Sequence, residues 1–176
     1  MREPEPEVVS RARRGDLEAF EELVRSCQAP IYRFVLRIVR EPATAEDVTQ
    51  EAFLRAYRML PRFRGEAKFT TWLYRIARNA AVDSMRRGAH QRRLAERAEP
   101  QVPVDDPALR MTIAAAVEGL SPHLREAFVV IEVVGLSYRE AAVVLGVPTG
   151  TLKSRMHAAR KALMEVLAHE EDVDEV

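Results

Sequence analysis

FRGEAKFTTWLYRIARNAAVD, residues 63–83, is the stretch that decides how this 176-residue chain is read. Between Arg64 and Arg78 it carries three aromatics, Phe69, Trp72 and Tyr74, among four cations, Arg64, Lys68, Arg75 and Arg78. Aromatic faces beside a cationic track are what a surface needs to hold unpaired bases, since rings stack on the bases while Lys and Arg follow the phosphates. Thr70 or Thr71 is suited to cap a helix starting near Trp72. Leu73, Ile76, Ala77 and Ala80 give that helix an apolar stripe at helical spacing. The other reading is an amphipathic helix whose aromatics are core and whose arginines are solvated. The stretch alone leaves both open.

Outside it, strand signals are almost absent. A short helix is expected over residues 6–14, ending at Gly15. Asp16 then caps a long helix with the stripe Phe20, Leu23, Val24, Cys27, Ile31, Phe34, Val35 and Ile38, which Pro30 should kink by removing a backbone donor. Thr44 with Asp47 resembles a capping box opening the helix VTQEAFLRAYRML, which stops at Pro61; the Trp72 helix runs to about Arg87. Residues 88–107, GAHQRRLAERAEPQVPVDDP, hold three prolines and no sustained stripe, and read as a linker with a helical start. Asp106-Pro107 and Ser121-Pro122 each pair an N-cap with a first-position proline. They open helices carrying Leu109, Ile113, Val117 and Leu120, and then Leu124, Phe128, Val129 and Ile131. The expected fold is therefore all-α: two small helical domains, residues 1–88 and 107–176, joined by a flexible linker over 89–106.

Residues 137–163, SYREAAVVLGVPTGTLKSRMHAARKAL, hold the sharpest local pattern. Ser137 and Glu140 form a capping box, Gly146 makes the turn, and Thr149 caps the next helix. Ala142, Gly146 and Leu152 have helix-turn-helix spacing. With Leu152 and Met156 inward, Gly150, Ser154, His157, Ala158 and Lys161 face out, with Lys153 nearby and Arg155 and Arg160 flanking. That layout suits a helix in the major groove, base contacts central and phosphate contacts at the rim. An ordinary hairpin would explain the caps but not the cations gathered on its second helix.

Charge is segregated although Lys+Arg and Asp+Glu are 27 each. Residues 61–98 hold ten cations against three acids, and residues 141–168 four against one. The stretch 99–140 between them has seven acids against three cations, and 169–176 carries five acids. Two basic blocks set among acidic ones indicate two anion-binding surfaces. No apolar run approaches a membrane span, and MREPEPE is no signal peptide, so no membrane insertion and a cytoplasmic location are expected. One cysteine, Cys27, rules out an internal disulfide and any multi-cysteine zinc site. His90, His123, His157 and His169 are scattered, without an HExxH, a glycine-rich phosphate loop or paired carboxylates. Neither metal, cofactor nor enzymatic activity is expected.

Three blocks together resemble the bacterial RNA polymerase sigma factors of the extracytoplasmic-function type. DVTQEAFLRAYRML (47–60) is similar to the polymerase-binding helix of that family, FRGEAKFTTWLYRIARNAAVD to its promoter-melting segment, and GLSYREAAVVLGVPTGTLKSRMHAARKAL to its helix-turn-helix. The resemblance implies sigma domains two and four, with core RNA polymerase and promoter DNA, duplex and single-stranded, as partners. It also implies control by an anti-sigma factor and a monomer when free. By position it assigns Asp47, Gln50, Glu51 and Phe53 to the polymerase clamp. Arg64, Lys68, Phe69 and Thr71 lie in its base-capture loop, and Trp72, Arg75, Arg78 and Asn79 follow on the minus-ten side. Thr151, Lys153, Ser154, Arg155, His157, Arg160 and Lys161 match the helix that reads the minus-thirty-five element. Ala158 and His157 depart from the larger or more basic groups of relatives; alanine can touch a thymine methyl but cannot donate to guanine. A dimeric helix-turn-helix repressor is the rival reading, but it would read duplex only and need no melting segment. The acidic tail, 169–176, reads as a solvated end, or as a weak screen folded over the recognition helix.

Overall fold

The computed structural model describes residues 1–95, 116–117 and 119–171. Four helices form the first domain: α1 (Pro6–Arg13), α2 (Leu17–Val39), α3 (Pro42–Met59), continued by a 3₁₀ turn (Leu60–Arg62), and α4 (Phe69–Ala95). Asp16 caps α2 as expected, accepting from Ala19 N–H at 3.0 Å, while Arg11 pairs with its other oxygen at 2.6 Å. These partners, the amide first, hold the Asp16 carboxyl below its usual range. Helix α2 is continuous through Pro30 and buries Leu23, Cys27, Ile31, Phe34, Val35 and Ile38. Burial raises the Cys27 thiol pKa.

In the first domain two expected caps are displaced. Helix α3 begins at Pro42, not Thr44, because the Glu41 carboxylate accepts from both Ala43 and Thr44 N–H, at 2.9 and 2.5 Å. Helix α4 begins at Phe69, with Thr70 and Thr71 inside its first turn rather than capping it. It continues to Ala95, past Gly88 where the linker was expected to start. The remainder of that linker and most of the helix expected after Pro107 lie outside the described residues.

The second domain consists of α5 (Pro122–Phe128), a π-helical turn (Val129–Val133), α6 (Tyr138–Leu145) and α7 (Thr149–Glu171). Gly135, at φ +78°, closes the π-helical turn. The Ser137–Glu140 capping box forms in both directions. Gly146 ends α6 at φ +65°, a left-handed conformation that glycine adopts without penalty. Thr149 is the first residue of α7 instead of its cap; the first helical bond runs from Leu152 N–H to the Pro148 carbonyl, 3.1 Å. Leu152, Met156 and Ala159 face inward.

The two domains are docked on each other. Helix α4 packs against α6, and α2 against α5, so the buried residues of both halves form one continuous core. Among the described residues there is no strand, and no helix is long and apolar enough to cross a membrane.

Candidate polymerase and promoter interface

On α3 the helical repeat turns Ala45, Val48, Ala52, Phe53 and Ala56 inward and leaves Asp47, Gln50, Leu54 and Tyr57 outward. Phe53 is 8% exposed and belongs to the core, so it supports the proposed clamp face from beneath and does not form part of it. Glu51 is half-buried. Its carboxylate accepts from Arg55 at 2.7 Å, which lowers its pKa, and Arg55 also reaches Asp83 of α4 at 2.8 Å. Leu54 and Tyr57, 52% and 43% exposed, extend the Asp47–Gln50 face with apolar surface. Their i+4 and i+7 spacing from Gln50 was readable in the sequence; the helical wheel drawn on α3 alone would have found them.

At the start of α4 the rings turn inward. Phe69 and Tyr74 are 3% exposed and Trp72 is 6% exposed. Phe63, Phe69 and Trp72 form a cluster, Phe63–Trp72 at 5.0 Å, Phe69–Trp72 at 5.6 Å and Phe63–Phe69 at 6.1 Å between centroids. Of the two readings the sequence left open, these rings follow the core one, filling the space between the loop and α4. What remains is a cleft of about 520 Å³ lined by Phe63 and Trp72, by Arg62, Arg64 and Arg75 with Glu66 and Ala67 among them, and by Val143 of α6. An aromatic floor with an arginine rim matches the chemistry of a flipped base and its phosphate.

The polar residues named for this side divide into free and engaged. Arg64, Arg75 and Asn79 are exposed. Lys68 is exposed but pairs at 2.8 Å with Glu140 of α6. This pair, together with bonds from Ser137, lowers the Glu140 carboxyl pKa to about 2. Arg78, with 21% of its side chain exposed, pairs at 2.9 Å with Glu126 of α5, whose side chain is only 11% exposed. Thr71 is buried, and its hydroxyl has no partner among the described residues. The segment 63–83 is therefore held by the second domain at two of its cations, and its cleft is walled by Val143.

On α7, Thr151, Lys153, Ser154, His157, Arg160 and Lys161 are exposed and Arg155 is half-buried, as the helical wheel requires. Ser154 donates to the Gly150 carbonyl at 3.2 Å. Arg160 pairs with Glu132 at 2.7 Å, which raises its pKa, and Lys161 approaches Glu165 at 3.7 Å. Sequence and structure agree on this surface.

A family model described as Sigma-70 region 2 matches residues 23–92, and one described as Sigma-70, region 4 matches residues 110–163. The RNA polymerase sigma-H factor of Pseudomonas aeruginosa is 36% identical over 182 residues, covering 94% of this chain and 94% of that protein. The ECF RNA polymerase sigma-E factor of Escherichia coli K12 is also 36% identical, covering 89% of this chain and 90% of that one. This chain belongs to the extracytoplasmic-function sigma factors. Two solved structures share its fold. The sigma factor RpoE, in complex with the anti-sigma factor NepR from Bartonella quintana, has a TM-score of 0.72 at 27% identity over 85% of this chain and 96% of that one. CnrH in complex with the cytosolic domain of CnrY has a TM-score of 0.70 at 26% identity over 92% and 96%. As a sigma factor the chain is a transcription initiation factor. The region 2 match spans most of α2 through α4, and the region 4 match ends within α7.

Proposed function

We propose that the exposed face Asp47, Gln50, Leu54 and Tyr57 of α3 docks on core RNA polymerase. Helix α7 then reads the minus-thirty-five element, with Ser154 and His157 at base edges and Lys153, Arg155 and Arg160 on phosphates. The Phe63–Trp72 cleft receives a base extruded from the minus-ten element, with Arg64, Arg75 and Asn79 beside the separated strand. The cleft carries this reading, because an aromatic floor rimmed by arginines serves an unpaired base and has no use in a protein that reads duplex alone. Residues 1–88 serve as the polymerase and melting domain, and the chain after the linker as the minus-thirty-five domain. The site of action is the cytoplasm.

Control by an anti-sigma factor belongs to the same reading. It is supported by the solved relatives, whose partners in those complexes are NepR and the cytosolic domain of CnrY. The test joins polymerase binding to melting. Asp47→Arg with Gln50→Arg, both exposed, is expected to abolish capture of core polymerase without lowering the unfolding midpoint. Unchanged capture would remove α3 from the interface. Wild-type holoenzyme is expected to make minus-ten thymines reactive to permanganate, and an unreactive promoter would refute the melting role.

A further inference from the structure

The first turn of α4 has no local cap. Its leading N–H groups have no carbonyl one turn earlier to receive them. Lys68, at the N-cap position, has a side chain that only donates, and it is engaged by Glu140. The Thr70 hydroxyl is a donor in this arrangement, and that of Thr71 is buried without a partner. The acceptor comes instead from the far end of the chain. Glu3 accepts from Phe69 N–H at 2.6 Å through one carboxylate oxygen, and from Thr70 N–H at 3.1 Å and the Thr70 hydroxyl at 2.5 Å through the other. A carboxylate is also the charge that a helix N-terminus favours.

Glu3 is held for this task. Two residues before it, Met1 packs against the core and lines a groove with Pro30, Phe34 and Tyr74. Three residues after it, α1 begins at Pro6. What hangs on the capped turn is the melting apparatus itself: Phe69 and Trp72 stand in the ring cluster that floors the cleft, and the loop bearing Arg64 and Lys68 enters the helix there. Among the described residues, the hydrogen bonds of Glu3 go to Phe69 and Thr70 and not to the exposed face of α3.

We infer that Glu3 is a positioning residue for promoter melting, a cap supplied from a distant part of the same chain that fixes the first turn of α4 and with it the base-receiving cleft. This rests on the sigma-factor reading above, and the experiment separates the two. Core-polymerase affinity and permanganate reactivity of minus-ten thymines are measured on holoenzyme made with wild type, Glu3→Ala and Glu3→Gln. Wild type failing to bind core or melt the promoter would refute the function proposed above rather than this inference. The expected result is unchanged core affinity for all three, with melting by Glu3→Ala reduced about fivefold, the factor that loss of a helix cap corresponds to. Glu3→Gln, whose amide oxygen still accepts, recovers most of that loss. Equal melting by Glu3→Ala and wild type would overturn the inference. So would stronger melting by both variants, because the carboxylate would then be repelling the DNA strand instead of placing the helix. Loss of core affinity in step with melting would reduce Glu3 to general stability and overturn it as well.

Discussion

Trp72 is the residue on which the sequence invited a stacking role, and its burial changes how that role is tested. Replacing a buried tryptophan by alanine costs about 3–5 kcal/mol, enough to unfold a marginal domain. Trp72→Ala is accordingly expected to lower the urea midpoint, so any melting defect it shows belongs to the fold as much as to the DNA. Arg75 is exposed and lines the same cleft. Arg75→Ala should leave the midpoint where it is and still reduce thymine reactivity. Glu140 shows how a residue's environment sets a pH window. Its folded pKa, about 2, lies below the ordinary 4.5, so its contribution is complete above 4.5 and is lost as pH falls toward 2. Contact between the domains through Lys68 is thus constant at neutral pH. Small-angle scattering should show expansion only under acid, or at pH 7 in Glu140→Gln. At this scale the sequence left open whether Phe69 and Trp72 face bases or turn inward. Their fate depends on Phe63 across the loop, and no local period encodes that contact.

Among the elements, the helix-turn-helix was the most legible. Its capping box, its turn glycine and the inward pair Leu152 and Met156 are all local signals, and all appear in the structure. Because Gly146 sits at φ +65°, Gly146→Val should destabilise the protein by about 1–2 kcal/mol, the penalty for a left-handed residue with a branched side chain, read as a lowered midpoint in denaturant. On α7, Ser154→Ala and His157→Ala are expected to change the consensus recovered from randomised minus-thirty-five sites. Lys153→Ala should weaken every site alike. The same consensus from all three variants would remove the division between base and phosphate contacts. The start of α3 was misplaced from sequence because Glu41, one residue ahead of Pro42, accepts from the Ala43 and Thr44 amides and so starts the helix before Thr44. The start of α4 was misplaced because its cap lies 66 residues away in Glu3, beyond any window in which helix signals are read.

At the scale of the whole molecule, two helical domains were expected on a flexible tether, and the domains are found docked. Composition announces a linker but is silent on whether the bodies it joins touch. Their contact is made by partnerships between distant residues, Arg78 with Glu126 and Lys68 with Glu140. Glu126 is 9% exposed, so its charge depends on Arg78 for compensation. Glu126→Gln should loosen the docking, which intramolecular fluorescence transfer between labels on α4 and α5 would register as a longer mean distance. An unchanged distance would mean that apolar contact alone holds the halves together.

Those partnerships also decide what the free protein exchanges when it meets DNA. A lysine or arginine that faces solvent gathers anions and gives them up to bulk when a phosphate arrives, which makes binding fall steeply with salt. Lys68, Arg78 and Arg160 already hold carboxylates of their own chain. For these three, a phosphate must displace an internal anion, and no small ion is released. Duplex binding by the isolated protein should therefore have a shallower dependence on log salt than its count of basic residues suggests. The holoenzyme, if polymerase draws the domains apart, should recover the share owed to Lys68 and Arg78, while Arg160 stays paired with Glu132 inside the second domain. The internal ion pairs act as a fixed salt that dilution cannot remove.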